Sequence, residues 1–278
     1  MDFELEGKIA LVTGSNRGTG LIIATQLFAE GATVILHSIE AGAAEDMAKT
    51  MNQNMNQNIN QNINQGMPNT HSVAGDISSD EGAKQVKQQL IALKLNPDIL
   101  INNYGTALPG LWDTLETDDW VDAYQKNTLS AVRMANLVTP HMREQEFGRI
   151  VNLGTIGSTR PNSRMPHYYA SKGAMANLTV SLAKELSGSG VTVNLVSPGL
   201  IRTPEVEEHY LARAKREGWG DTWEAAEPQI TEHFNPNMIG RIATREEVAK
   251  IVVFLCSTAA SFVTAQNLRV DGGAVDIV

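Results

Sequence analysis

Apolar and polar positions change period repeatedly along this chain. Residues 8–14, KIALVTG, form a short β-branched run closed by glycine, which predicts a buried strand. In residues 20–31, GLIIATQLFAEG, Leu21, Ala24, Leu27 and Phe28 share one helical face, and Gly31 stops the helix. The same alternation continues. Strands are predicted at 32–38 (ATVILHS), 71–76, 97–105 (PDILINNYG), 148–155 (GRIVNLGT), 190–199 (GVTVNLVSPG) and 265–273 (AQNLRVDGG). Helices are predicted at 81–95 and 167–188, with one long helix within 118–144. The strands are apolar throughout, so helices should cover both faces. This predicts an α/β fold: one doubly wound, parallel, Rossmann-type sheet in a single domain over 1–278.

Two segments break the rhythm. Residues 51–66, MNQNMNQNINQNINQG, hold four copies of a four-residue unit. Met51, Met55, Ile59 and Ile63 would line one helical face, but asparagine is a poor helix former. The segment reads as a low-complexity insertion after the second strand, with a helical extension as the variant. Residues 203–240 are rich in charge and aromatics and leave the sheet just after a strand. Ligands of open α/β sheets bind outside the carboxyl ends of the strands, so a helical flap over a substrate pocket is expected. An oligomer contact is the alternative.

Composition narrows the partners. The 278 residues carry a net charge of −9 and no long basic run, which argues against nucleic acid or an anionic membrane. The single cysteine, Cys256, excludes an intrachain disulfide and a cysteine metal cluster. No His/Cys/Asp cluster at ligand spacing is seen, so no metal is expected. The start MDFELEGKIALVTG shows no signal-peptide pattern, and a cytoplasmic location is expected.

The chemistry gathers at strand ends. TGSNRGTG joins the first strand to its helix, with Gly14, Gly18 and Gly20 allowing close approach to a pyrophosphate. The helix that follows offers unpaired N–H groups to an anion. No Gly-Lys-Ser/Thr follows, against a nucleoside triphosphatase. The second strand ends in Ser38 rather than a carboxylate, and Arg17 lies in the glycine loop. A 2′-phosphate would meet a hydroxyl and a cation, which favours NADP(H), with NAD(H) the alternative. Asp76 could accept from an adenine amino group or cap the next helix.

Tyr168 and Lys172 are i and i+4 on a predicted helix and share a face. A nearby ammonium would pull the phenol, which titrates near ~10 when free, toward neutrality. Thr155 ends the fifth strand, where its hydroxyl could hold a carbonyl or alkoxide oxygen. Alone, a Tyr-x-x-x-Lys pattern is common by chance.

In combination these motifs carry a resemblance. From about residue 6 to 273 the chain resembles the classical short-chain dehydrogenase/reductase family. TGSNRGTG matches its TGxxxGxG loop, INNYG its NNAG, KNT its helix asparagine, VNLGT its serine strand, YYASK its YxxxK, and SPGLIRT and RVDGG its last two strand ends. The resemblance implies Tyr168 as catalytic acid/base. Lys172 would bind the nicotinamide ribose and lower the Tyr168 pKa. Asn127 would hold a water linking Lys172 to solvent, and Thr155 would stand at the serine position. It implies a cofactor lined by Gly14, Asn16, Arg17, Gly18, Thr19, Gly20, Ser38, Asp76, Ile77, Asn102 or Asn103, Tyr104 and Gly105. Tyr168, Lys172, Pro198, Gly199, Ile201 and Thr203 would line its nicotinamide end. It also implies a homotetramer and a ketone or secondary-alcohol substrate; 3-oxoacyl, sugar, polyol and cyclic-alcohol compounds all stay open.

Three departures matter: threonine for serine at 155, Tyr104 for the small alanine, and the 51–66 insertion. Thr155 and Tyr104 together support a rival reading, a nucleotide-binding regulator or scaffold without turnover. Around the pocket, Tyr210, Trp219, Trp223 and Phe234 suggest an apolar-tolerant lid, with Met165 as a further pocket residue. Arg160 and Arg164 are either anion attractors or solvated loop charges.

Overall fold

A computed structural model describes residues 3–57 and 69–277. Among them, seven strands form one parallel sheet in the order β3-β2-β1-β4-β5-β6-β7. The strands are β1 (Ile9–Val12), β2 (Thr33–Ser38), β3 (Thr70–Ala74), β4 (Ile99–Asn102), β5 (Gly148–Leu153), β6 (Val191–Pro198) and β7 (Asn267–Val270). The order reverses between β1 and β4. The glycine loop and the NNY segment therefore leave neighbouring strands in opposite senses, and a crevice opens between them.

Alternate strand residues feed two cores. Ala10 and Val12 of β1 pack with α1 (Gly18–Ala29), α2 (Ala43–Gln57) and α9 (Arg245–Cys256) on one face. Leu11 points the other way, toward α3 (Asp80–Leu93), α5 (Ser130–Glu144) and α6 (Pro166–Glu185). Burial on both faces is why the strands read as unbroken apolar runs.

The helices begin where their sequences dictate. Ser79 caps α3 by accepting from the Gly82 N–H, and Thr244 and Glu247 form a capping box on α9. α1 differs: no side chain caps its start at Arg17, and no acidic residue lies in its first turn.

The expected long helix across 118–144 is interrupted. α4 (Thr117–Tyr124) passes through a π-helical turn at Gln125–Leu129 before α5 begins. An i→i+5 turn widens the backbone locally, and this one carries Asn127. α2 extends into the asparagine-rich repeat as far as Gln57, with Met51 packed into the core. The rest of the repeat, with Ile59 and Ile63, lies outside the described residues.

After β6 the chain forms α7 (Pro204–Glu217) and α8 (Trp223–His233). Ala214, Trp223, Ala226, Ile230 and Ile242 make a small core of their own. Arg202 bonds both carboxylate oxygens of Glu207, at 2.9 and 2.7 Å, and lies over the Trp223 ring. Entry and exit of this segment meet at a bridge between Ile201 and Ala243, where the Arg202 N–H donates to the Ala243 carbonyl at 2.8 Å.

Candidate active site

One hydroxyl joins the two sides of the crevice. Thr13 Oγ1 donates to the Ile101 carbonyl at 3.2 Å and accepts from the N–H groups of Asn103 and Tyr104, each at 3.0 Å. The Asn103 amide donates to the carbonyls of Thr13 and Gly14 at 2.9 and 3.0 Å. The glycine loop thus rests on a side chain of the β4 loop. A Cβ on Gly20 would lie 2.4 Å from Asn103 Nδ2 and 2.6 Å from the Gly14 carbonyl. Gly14 and Gly18 both adopt left-handed backbone, at φ of 60° and 63°, which side chains disfavour. Gly20→Val should therefore fold with a displaced loop and lose NADPH affinity by ~10-fold or more, about 1.4 kcal/mol. A fluorescence titration reads this.

The residues expected to act as acid/base converge deeper in the crevice. Thr155 caps a short 3₁₀ turn, its Oγ1 accepting from the Gly157 N–H at 3.2 Å. The same hydroxyl lies close enough to the Tyr168 phenol to work against the rise in its pKa. The methyl of threonine has not turned the hydroxyl away, so the first departure leaves the pairing intact. Lys172 lies one turn beyond Tyr168 on α6. Its Nζ donates to the Leu153 carbonyl at 2.7 Å and sits 3.9 Å from Met175 Sδ. No carboxylate pairs with it among the described residues. The Asn127 amide donates to the carbonyls of Thr106 and Ala123 at 3.0 Å each, and its oxygen accepts from the Thr106 N–H at 2.9 Å. Gly105 fits between them: a Cβ there would lie 2.4 Å from Asn127 Oδ1 and 3.5 Å from Lys172 Nζ. A cavity of about 170 Å³ is lined by Thr19, Asn103, Gly105, Asn127, Leu153, Tyr168, Lys172, Pro198 and Ile201, among others.

Burial sets the electrostatics. Desolvation lowers Lys172 to about 8, because an ammonium is costly where water cannot reach it. Desolvation also pushes Tyr168 up to about 12, with the Tyr169 ring 5.4 Å away adding to the rise and the Thr155 hydroxyl opposing it. Burial sets the direction of this shift, opposite to the expected pull toward neutrality, and the phenol holds its proton at neutral pH.

Other expected residues divide. Asn103 lines the cavity, whereas the Asn102 amide donates to Asn152 Oδ1 at 2.8 Å inside the sheet. The Asp76 carboxylate accepts from Ser78 N–H and Oγ at 3.0 and 2.7 Å, and the cap of α3 falls to Ser79 instead. Ile77 is buried in the core. Ser38 does not present a donor to a phosphate, because its hydroxyl donates to the Glu40 carbonyl at 2.6 Å. Asn16 is half-buried and Arg17 is exposed in the loop. The Gly199 N–H donates to Val270, and Thr203 caps α7. Tyr104 packs among Leu11, Ile77 and Leu100, edge-on to His37. It fills core rather than blocking the crevice.

Around the flap, Trp223 is buried in the flap's own core, so it is not a lid residue. Arg160 is tied to the Ala274 carbonyl at 2.9 Å, whereas Arg164 is exposed. A shallow depression of about 620 Å³ follows α7 past Glu207, Glu208, Lys215 and Asp221, but none of the converging residues lines it. The sequence reading missed His37, a polar residue near the end of β2, which is buried against the glycine loop.

The residues suit a dinucleotide. The uncapped start of α1, the open space beside Gly18 and the cavity at Lys172 form one crevice over the strand ends. Fold and site together define a Rossmann-type oxidoreductase. A family model described as "Enoyl-(Acyl carrier protein) reductase" matches residues 14–275. The chain is 34% identical over 269 residues to the 3-oxoacyl-[acyl-carrier-protein] reductase FabG of Pseudomonas aeruginosa, covering 97% of this chain and 98% of that one. It is 32% identical over 276 residues to the uncharacterized oxidoreductase YvaG of Bacillus subtilis, covering 99% and 98%. Among solved structures, L-sorbose reductase from Gluconobacter frateurii, complexed with NADPH and L-sorbose, superposes with a TM-score of 0.89 at 28% identity, covering 100% of both chains. A 3-oxoacyl (acyl-carrier-protein) reductase from Agrobacterium tumefaciens C58, with NADP bound, gives 0.82 at 29%, covering 98% and 96%. The chain belongs to the short-chain dehydrogenase/reductase family. Among the described residues no helix is long and apolar enough to cross a membrane.

Proposed function

We propose that this chain catalyses reversible hydride transfer between NADP(H) and a small ketone or secondary alcohol. The carrying observation is the Tyr168–Thr155 hydroxyl pair beside the buried Lys172 ammonium. When bound, the nicotinamide supplies or accepts the hydride at the carbonyl carbon. Thr155 Oγ1, with one lone pair fixed by the Gly157 N–H, holds the substrate oxygen. Tyr168 gives that oxygen a proton in reduction and removes it in oxidation. Lys172 orients the ribose and supplies positive charge under the phenol. Asn127 and Gly105 wall the Lys172 side of the cavity.

NADP(H) is favoured on two grounds. Arg17 is the exposed cation of the loop, and relatives of the same fold were solved with NADPH or NADP. A free small ketone is favoured over a carrier-bound acyl chain. The protein carries a net charge of −9, which gives no steering toward an acidic carrier. The rival scaffold reading loses its two grounds, since Thr155 faces Tyr168 and Tyr104 leaves the crevice.

The test is oxidation of NADPH and NADH over a panel of ketosugars, cyclic ketones and 3-oxoacyl thioesters. We expect several-fold higher kcat/KM with NADPH and turnover of free ketones. Because Tyr168 keeps its proton at neutral pH, reduction should run from pH 6 to 8. Oxidation should climb as pH rises toward 10. Cofactor binding without turnover of any compound would restore the scaffold reading.

A further inference from the structure

His37 lies in β2, fully buried, and has no place in the chemistry above. Its imidazole nevertheless spans the crevice floor. The Gly14 N–H donates to His37 Nδ1 at 3.0 Å, so that nitrogen must carry a lone pair. The proton then sits on Nε2, 2.9 Å from the Gly75 carbonyl, to which it donates. A single neutral tautomer satisfies both ends, and an imidazolium would set two N–H groups against each other at Gly14. The main chain repeats the attachment: Ser15 N–H donates to the His37 carbonyl at 2.9 Å, and His37 N–H donates to Ser15 Oγ at 3.0 Å. The first two residues of the glycine loop therefore hang on residue 37.

The far end of the bridge lies at the turn before Asp76. Gly75 ends the β3 segment immediately before Asp76 and is pressed against α3, where a Cβ would lie 2.6 Å from the Gly82 carbonyl. The imidazole thus couples the pyrophosphate loop to the turn carrying Asp76. Facing it are the Tyr104 ring, edge-on at 6.4 Å, and the charge of Asp76; no carboxylate makes an ion pair with it among the described residues. Burial lowers its pKa to about 4, in keeping with the neutral form that the bonds require.

We propose that His37 is a positioning residue for the cofactor: its neutral imidazole holds the glycine loop in its binding conformation through Gly14 and ties that loop to Gly75. This rests on the cofactor reading of the crevice.

Two substitutions separate its bonds. In His37→Asn the side-chain oxygen takes the place of Nδ1 and keeps the Gly14 acceptor. In His37→Gln the side chain reaches toward Gly75 and leaves Gly14 unpaired. NADPH titrations of the full chain should give an affinity within about 3-fold of wild type for Asn and a loss of ~10-fold or more for Gln, since an orphaned buried donor is costly. The KM for ketone at saturating NADPH should not move. Equal losses in both variants, or none in either, would overturn the proposal alone. If wild type binds neither NADPH nor NADH, the cofactor reading falls and takes this proposal with it. A second measurement needs no variant. Imidazole ¹⁵N–¹H spectra of the wild-type chain should show the Nε2–H tautomer from pH 5.5 to 8. An Nδ1–H tautomer or a charged ring in that range would refute the bridge.

Discussion

Tyr168→Phe is expected to lower kcat for ketone reduction by ~10²–10⁴-fold, the range of one general acid. It should leave the fold and NADPH affinity nearly unchanged. The substitution removes a single oxygen. The ring keeps its contact with Tyr169, 5.4 Å away, and the Thr155 hydroxyl keeps its bond to Gly157. A proton that the substrate oxygen needs would then have to come from water. Steady-state kinetics beside an NADPH titration and a thermal melt distinguish this from a packing defect. A kcat within a few-fold of wild type would remove the phenol from the chemistry.

Lys172→Met has the second large effect, and activity and stability respond to it differently. Activity should fall by ~10²-fold or more, because the charge beneath the phenol and ribose is gone. Stability follows from linkage. Burial depresses the folded pKa of Lys172 from 10.5 to about 8. Folding thus costs on the order of 3 kcal/mol below pH 8, at about 1.36 kcal/mol per pKa unit. Between pH 8 and 10.5 the unfolded chain binds more protons, so wild-type stability rises with pH and the penalty is lost. Methionine carries no such penalty but orphans the Leu153 carbonyl, which costs about 1–3 kcal/mol. The two terms nearly cancel at pH 7. The decisive readout is the difference in denaturation free energy: wild type should gain about 3 kcal/mol on the variant from pH 8 to 10.5. Parallel curves would mean that the ammonium is not desolvated.

The strands were legible because a doubly covered sheet keeps them mostly apolar. Tyr168 and Lys172 share a helix face by their spacing, whereas Thr155 joined them only through the family resemblance. Other features left no local signal. The π turn at Gln125–Leu129 is a backbone event that the side-chain periodicity of 118–144 does not report. Helix α9 was not among the predicted helices, because VVFLC is apolar on every side and shows no helical period. Ser38 and His37 are adjacent polar residues at the end of one strand. Which of them serves the crevice depends on where each hydroxyl or ring nitrogen finds a partner, and those partners lie in the Gly14, Glu40 and Gly75 segments. Tyr104 was ambiguous for the same reason: only the packed sheet shows that there is room beneath it for a ring.

The segment after β6 begins and ends at one point, the Ile201–Ala243 bridge, and holds itself together through Trp223, Ile230 and the Arg202–Glu207 pair. It behaves architecturally like a cartridge seated in a single socket. Because its interior packs on itself, its residues could be exchanged without rebuilding the parallel scaffold that carries it.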